Sequence, residues 1–126
     1  MLYAVLCYHE EDVVSSWNQQ EEQAVMSRLA AIQDRVAKAG KMGPSLRLLP
    51  TTAATTLRNS QDPPLVIDGP FAETKEQLLG FYVIEAADLE EALAVTREIA
   101  AANPGGAYEI RPVALYNPDR RASADR

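Results

Sequence analysis

Residues 68–75 carry the densest group of chemically capable side chains in the sequence. Asp68 precedes a turn in which Pro70 holds the position whose backbone N–H an aspartate ordinarily bonds, and proline has no N–H. The carboxylate of Asp68 must therefore find another partner, and we predict it as a catalytic residue. The side chains that follow offer an aromatic face, a second carboxylate, a hydroxyl and an ammonium group. We predict these as substrate-binding residues: Phe71, Glu73, Thr74 and Lys75.

His9, the only histidine in the chain, is the second predicted catalytic residue. An aspartate beside an imidazole orients it for general acid–base catalysis, so His9 with Asp68 would form a pair for proton transfer. The alternative is a solvated surface histidine next to the acidic residues 10–12. Lys75 beside Thr74 likewise offers an anion site at a helix start, or is simply a solvated lysine.

Local signals also support a purely structural role for this segment. Thr74 and Gln77 have the spacing of a capping box, which predicts one helical turn over residues 75–78. A capped surface turn is therefore the alternative to a binding loop. Cys7 is predicted to be a small buried hydrophobe. One histidine and one cysteine cannot form a zinc site, and the sequence has no glycine-rich phosphate loop, so we predict no metal and no cofactor.

The elements that position these residues follow the order β-α-β, hairpin, β-α-β. The predicted strands cover residues 2–8, 45–49, 54–58, 65–67, 78–84 and 107–115. Capping boxes begin the two predicted helices, at Asn18 with Glu21 and at Asp88 with Glu91. Apolar stripes follow each box. The stripe residues are Val25, Leu29, Ile32 and Val36 in the first helix, and Leu89, Leu93, Thr96 and Ile99 or Ala100 in the second.

Right-handed crossovers in this order give an antiparallel sheet with both helices on one face. The first strand then pairs with residues 78–84, so His9, residues 68–75 and the Gly105–Gly106 loop are expected at one edge of the sheet. Both of these strands are apolar on both faces. A monomer would leave the helix-free face in water, so we predict a homodimer through that face.

The sequence DGPFAETKEQLLGFYVIEA, residues 68–86, resembles the signature of DGPF-domain proteins, a branch of the YCII-related family of small bacterial proteins. The resemblance covers residues 2–115. It implies an α+β, ferredoxin-like fold of the dimeric α/β-barrel type. Typical members of the wider family are thought to use a His–Asp pair with the histidine on the first helix. Residues 21–26 contain none here, so His9 is a candidate from topology alone.

Composition limits the function classes. With 126 residues, 47% of them hydrophobic, the chain is predicted to form one domain over residues 1–116 and a flexible tail over residues 117–126. A net charge of −6 argues against nucleic-acid binding. A single cysteine, no signal-peptide pattern and no apolar run of membrane-spanning length predict a cytoplasmic protein without membrane contact.

Two functions from different classes follow. The first is a cofactor-independent enzyme that performs acid–base chemistry, such as isomerisation, lactone chemistry or elimination, on a small organic acid. The second is a non-catalytic module that binds a small ligand or regulates sigma-factor-linked transcription. Related dimeric α/β-barrel proteins imply the first, and the frequent association of DGPF proteins with sigma factors implies the second. A solvent-excluded cavity around Asp68 would favour the enzyme, and a shallow open cleft would favour the module.

Overall fold

The computed structural model of the protein describes residues 1–60 and 62–118, and its elements follow the predicted order. The predicted tail falls almost wholly on residues 119–126, outside this part of the chain. The strands are β1 (Leu2–Glu10), β2 (Met42–Arg47), β3 (Thr55–Arg58), β4 (Leu65–Asp68), β5 (Glu76–Glu85) and β6 (Ala107–Pro112). The helices are α1 (Glu11–Ser15), α2 (Gln19–Lys38) and α3 (Leu89–Ala102), with a 3-10 turn at Thr51–Ala53.

Four strands form the main sheet in the order β2-β5-β1-β6, and every neighbouring pair is antiparallel. The predicted central pair is confirmed, because β1 and β5 occupy the two inner positions. The register sets Tyr3 opposite Ile84 and Val5 opposite Tyr82. A bulge between Cys7 and Tyr8 shifts this register near the end of β1. The protein is therefore an α+β protein built on a four-stranded antiparallel main sheet.

Strands β3 and β4 pair only with each other in a separate two-stranded sheet. The predicted hairpin insertion between the second and third main strands is therefore confirmed. Its position is fixed at the base, where the carboxylate of Glu11 accepts hydrogen bonds from the backbone N–H of Thr51 (2.7 Å) and from its hydroxyl. The hairpin exposes several apolar side chains, Leu57, Leu65 and Val66.

Capping begins both long helices at the predicted residues. The side chain of Asn18 accepts from the N–H of Glu21 at 2.7 Å, and Glu21 accepts in return from the N–H of Asn18 at 3.3 Å. Asp88 accepts from the N–H of Glu91 at 3.0 Å. These bonds satisfy backbone donors that have no partner within the helix.

The helices bury their apolar faces against one side of the sheet. Val25 and Leu29 of α2 and Ile99 of α3 pack with the rings of Tyr82 and Tyr108. The stripe predicted for α2 is confirmed. The stripe predicted for α3 is wrong at its start, because Leu89 is 50% exposed. The buried residues of α3 are Ala92, Thr96, Ile99 and Ala102, one residue out of phase with Leu89 and Leu93.

Several strand boundaries differ from the predicted ones, and the last strand ends at Pro112 instead of residue 115. The charged residues after Tyr8 were expected to end the first strand, yet β1 continues through His9 to Glu10 because both residues pair with β5. The second strand begins at Met42 instead of Ser45. Pro44 therefore lies inside a strand, which is tolerated because β2 is at the sheet edge and its pairing with β5 is irregular between Met42 and Ser45.

Candidate functional site

The predicted site residues lie on three different elements. Asp68 is the last residue of β4, exposed, and pairs with Thr55 across the hairpin. Within the described residues its carboxylate has no hydrogen-bond or ion-pair partner. Asp68 therefore belongs to the hairpin sheet, whereas His9 belongs to the main sheet. The hairpin carries Asp68 as a solvated carboxylate, without the enclosed cavity that would favour a catalytic role.

His9 is buried, with 5% of its surface exposed, so the alternative of a solvated surface histidine is wrong. Its Nδ1 accepts a hydrogen bond from the N–H of Glu10 at 2.8 Å. The ring proton is then on Nε2, which donates to the carbonyl of Pro104 at 3.2 Å. The ring also meets Trp17 edge-on, with centroids 6.3 Å apart. The backbone thus satisfies both nitrogens of the imidazole.

Hydrogen bonds from side chains to backbone carbonyls set the conformation of the loop between β4 and β5, which does not form the predicted helical turn. The amide of Gln77 donates to the carbonyls of Ala72 (2.9 Å) and Thr74 (3.2 Å), and the hydroxyl of Thr74 donates to the carbonyl of Glu76 (2.5 Å). The capping-box prediction is wrong because Gln77 is a strand residue of β5, paired with His9. Long-range pairing therefore decides the conformation here.

The other predicted binding residues face solvent. Phe71 is 72% exposed, and the guanidinium of Arg58 lies 5.0 Å from its ring centroid while donating to its carbonyl at 3.1 Å. Glu73 is exposed. The ammonium of Lys75 pairs with the carboxylate of Glu10 at 3.3 Å. The end of β1 therefore meets the start of β5, as expected, but these side chains do not enclose a common space.

A cavity of about 350 Å³ lies between α2 and the main sheet. Its walls are mostly apolar and aromatic, contributed by all three helices, by Trp17 before α2 and by four strands. The lining residues used below are Cys7, Trp17, Val25, Met26, Arg47, Gly80, Tyr82 and Tyr108. None of the predicted site residues lines it. Sequence reasoning missed this site because its walls are indistinguishable from core positions.

Gly80 forms part of the floor of the cavity. It pairs with Cys7 on one side and with Arg47 on the other. A Cβ at this position would lie 2.2 Å from the backbone oxygen of Leu46, so only glycine fits. Because Gly80 has no side chain, the helix-facing space between its two neighbours stays open. The closeness of β2 to β5 therefore helps to create the cavity.

Three weakly acidic groups stand together on the sheet side of the cavity. Cys7 pairs with Tyr108 across β1 and β6, and Tyr82 lies on the adjacent strand β5. Burial raises the pKa of the Cys7 thiol to about 12. Burial, then the nearby Cys7 and Tyr82, raise the pKa of Tyr108 to about 12, and burial also raises that of Tyr82. At neutral pH these groups are uncharged hydrogen-bond donors, and Cys7 is not a nucleophilic thiolate.

Cys7 is expected to react slowly with a thiol reagent at pH 8. A rise in pKa from 9.0 to about 12 lowers the thiolate population on the order of a thousandfold. The measurement compares the rate of labelling by Ellman's reagent in buffer with the rate in guanidinium chloride, where the chain is unfolded. Rates within about tenfold of each other would show that the thiol is neither desolvated nor protected.

The cavity opens between β2 and α2, where the lining residues Leu46 and Met26 are 44% and 41% exposed. Nη1 of Arg47 is 2.7 Å from the carboxylate of Glu22 and 3.9 Å from the sulfur of Met26. The side chains of Arg47 and Glu22 are each close to half exposed. This ion pair therefore spans the gap at the solvent end of the cavity. Elsewhere on the wall, Trp17 is in edge contact with the ring of His9.

The described residues offer neither a metal-ion cluster nor a membrane-spanning helix. Residues 1–60 and 62–118 contain no cluster of three or more His, Cys, Asp or Glu side chains that could hold a metal ion. Over the same residues, no helix is both long and apolar enough to cross a membrane.

The fold and the sequence place the chain among known proteins. The YCII-related domain matches residues 1–117, and the chain belongs to this family. It is 58% identical over 119 residues to an uncharacterized protein of Rhizobium meliloti (strain 1021), with 94% of this chain and 96% of that protein covered. The resemblance drawn from the DGPF segment is therefore confirmed at the level of the family.

Proposed function

We propose that the protein is a small-molecule-binding domain whose ligand occupies the cavity between α2 and the main sheet. The supporting observation is the cavity itself: about 350 Å³, mainly apolar, with a few convergent polar groups. Ligand sites typically have this character. At the roughly 30 Å³ that one water molecule occupies in the liquid, the space takes about a dozen non-hydrogen atoms.

The chemistry of the lining favours binding over acid–base catalysis. The described residues that line the cavity include no aspartate, glutamate, histidine or lysine. The thiol of Cys7 and the phenol of Tyr108 hold their protons to about pH 12. A general base works best when its pKa is near the operating pH, and these groups are far from it. Both groups already donate to backbone carbonyls, Cys7 to Val5 and Tyr108 to Asn103, so they stay neutral wall groups that do not exchange protons with a ligand.

Acid–base chemistry by His9 and Asp68 is the second candidate, and it has less support. Its favourable observation is that His9 contacts Trp17, which is a wall of the cavity. Against it, both imidazole nitrogens are bonded to the backbone and Asp68 is exposed on the hairpin. The binding function also agrees with the regulatory, sigma-factor-linked role that the family resemblance implies.

We further propose that the fold is ferredoxin-like and that two copies pair through the helix-free face of the sheet. The strand order β2-β5-β1-β6, with both long helices on one side, is the arrangement expected of two interlocked βαβ units. On the other side, Leu6 is paired with Phe81 and both are only partly buried, an apolar surface that no long helix of the described chain covers. A second copy offers the matching apolar surface.

Val25→Phe is expected to weaken ligand binding in the cavity. Trp17 is the only tryptophan and lies in the cavity wall, so its fluorescence reports occupancy directly. A library of apolar compounds of up to about a dozen non-hydrogen atoms is titrated against the wild type, and the compounds that change Trp17 emission are tested on the variant. The added ring fills the space, so affinity should fall at least about tenfold.

Val66→Phe is the matched control, because Val66 is 63% exposed on the hairpin and does not line the cavity. It should bind the same compounds with unchanged affinity. If Val25→Phe folds normally by circular dichroism and binds as well as the wild type, the ligands sit elsewhere. Failure of every compound to change Trp17 emission would also contradict the proposed function.

A further inference from the structure

Arg47 is the only charged side chain among the described residues that line the cavity. It extends from the edge strand β2 toward α2, where it contacts Glu22 and Met26. The wall behind it is neutral, because burial keeps Cys7 and Tyr108 protonated. The cavity therefore has one cationic end, at its opening, and an uncharged interior.

The guanidinium of Arg47 has more donors than its present contacts use. Within the described residues, the contacts with Glu22 and Met26 are both made by the single nitrogen Nη1. A guanidinium offers five N–H groups in a planar fork that matches the two oxygens of a carboxylate. The edge formed by Nε and Nη2 can take such a group in a bidentate pair while Nη1 stays with Glu22.

We propose that the ligand of this cavity is a small monocarboxylic acid, held at the opening by Arg47 with its apolar tail inside. Placing the carboxylate deep in the cavity would leave a charge without a partner, because Cys7 and Tyr108 already donate to the carbonyls of Val5 and Asn103. This is costly, whereas the opening keeps the carboxylate partly hydrated and paired. This ligand class depends on the cavity being the binding site proposed above. It makes Arg47 a specificity-determining residue, although no sequence motif marks it.

Glu22 then sets the strength of the site. Its carboxylate shares the guanidinium with the ligand, at 2.7 Å from Nη1, and two anions on one cation repel each other. The pair is nearly half exposed, so solvent screens it, and a ligand carboxylate competes with Glu22 on similar terms. Removing the charge of Glu22 should therefore strengthen binding of acids and leave binding of neutral analogues unchanged.

The test compares hexanoate with hexanamide, which share a tail and differ mainly in charge. Both are titrated by Trp17 fluorescence and by calorimetry against the wild type, Arg47→Gln and Glu22→Gln. The wild type should prefer hexanoate about tenfold, and Arg47→Gln should lose that preference without loss of hexanamide binding. Glu22→Gln should bind hexanoate several-fold more tightly than the wild type, roughly threefold or more. Salt of about 0.5 M should weaken hexanoate binding alone.

The wild type could instead bind hexanoate and hexanamide equally, with both affinities unchanged in Arg47→Gln. That result would overturn the carboxylate assignment, although the cavity would still be a binding site. Tighter binding of hexanamide would do the same. Absence of binding by both compounds, together with failure of the wider compound library, would remove the proposed function itself. Arg47→Lys keeps the charge and loses the fork, so it should keep part of the preference, and it replaces Arg47→Gln if that variant does not fold.

Discussion

Gly106→Ala is expected to destabilise the protein by about 3 kcal/mol, which lowers the melting temperature by roughly 10 °C. Two costs combine at this position. Gly106 has a φ of +72°, a conformation that L-residues adopt only with strain. A Cβ there would also lie 2.2 Å from the backbone oxygen of Tyr8 and 3.2 Å from the ring of His9. Neither the backbone of β1 nor the buried imidazole can move away easily.

Gly40→Ala separates the two costs. Gly40 has nearly the same φ, +73°, but a Cβ there meets no atom within 4 Å. This variant should lose only the strain energy, about 1 kcal/mol. Chemical denaturation of both variants gives the difference in the free energy of unfolding. If Gly106→Ala proved as stable as Gly40→Ala, the result would contradict the close packing of Gly106 against β1 and His9.

Leu6→Lys is expected to convert the proposed homodimer into a monomer. Leu6 lies on the helix-free face, opposite Phe81, at the centre of the surface assigned to the dimer. In a dimer the new ammonium group would be buried without a partner, which costs about 3 kcal/mol or more and raises the dissociation constant at least about a hundredfold. In a monomer the same lysine is hydrated. Light scattering at micromolar concentration measures the change in mass.

Leu57→Lys provides the control, since Leu57 is 61% exposed on the hairpin and lies outside the helix-free face. It should leave the dimer intact. A monomeric wild type would contradict the dimer outright. Dissociation by Leu57→Lys but not by Leu6→Lys would place the interface on the hairpin instead.

The local signals in the sequence were sufficient for most of the fold. The capping box of Asn18 and Glu21 and the stripe of Val25, Leu29 and Val36 depend only on residues three or four apart. The strand order also follows from the sequence, because right-handed crossovers leave few topologies for this order of elements. The apolar character of both faces of β1 and β5 is evident from their sequences.

The same local reasoning failed where a residue distant in sequence determines the conformation of a segment. Thr74 and Gln77 have the spacing of a capping box, but β5 takes Gln77 into a pairing with His9, and its amide then bonds two loop carbonyls. His9 was placed correctly next to the start of β5 and the Gly105–Gly106 loop. Its burial was not foreseen, because the carbonyl of Pro104, which lies 95 positions along the chain, supplies its second hydrogen bond.

The candidate site is decided by tertiary structure alone. Cys7, Tyr82 and Tyr108 come from three strands, and each is an ordinary strand residue in the sequence. Their common wall exists because the register aligns them, and the space in front of them exists because position 80 carries no side chain. Arg47 closes the opening through Glu22, 25 positions away. Sequence periodicity reports which face of an element is buried, whereas a cavity is the volume that several buried faces fail to fill.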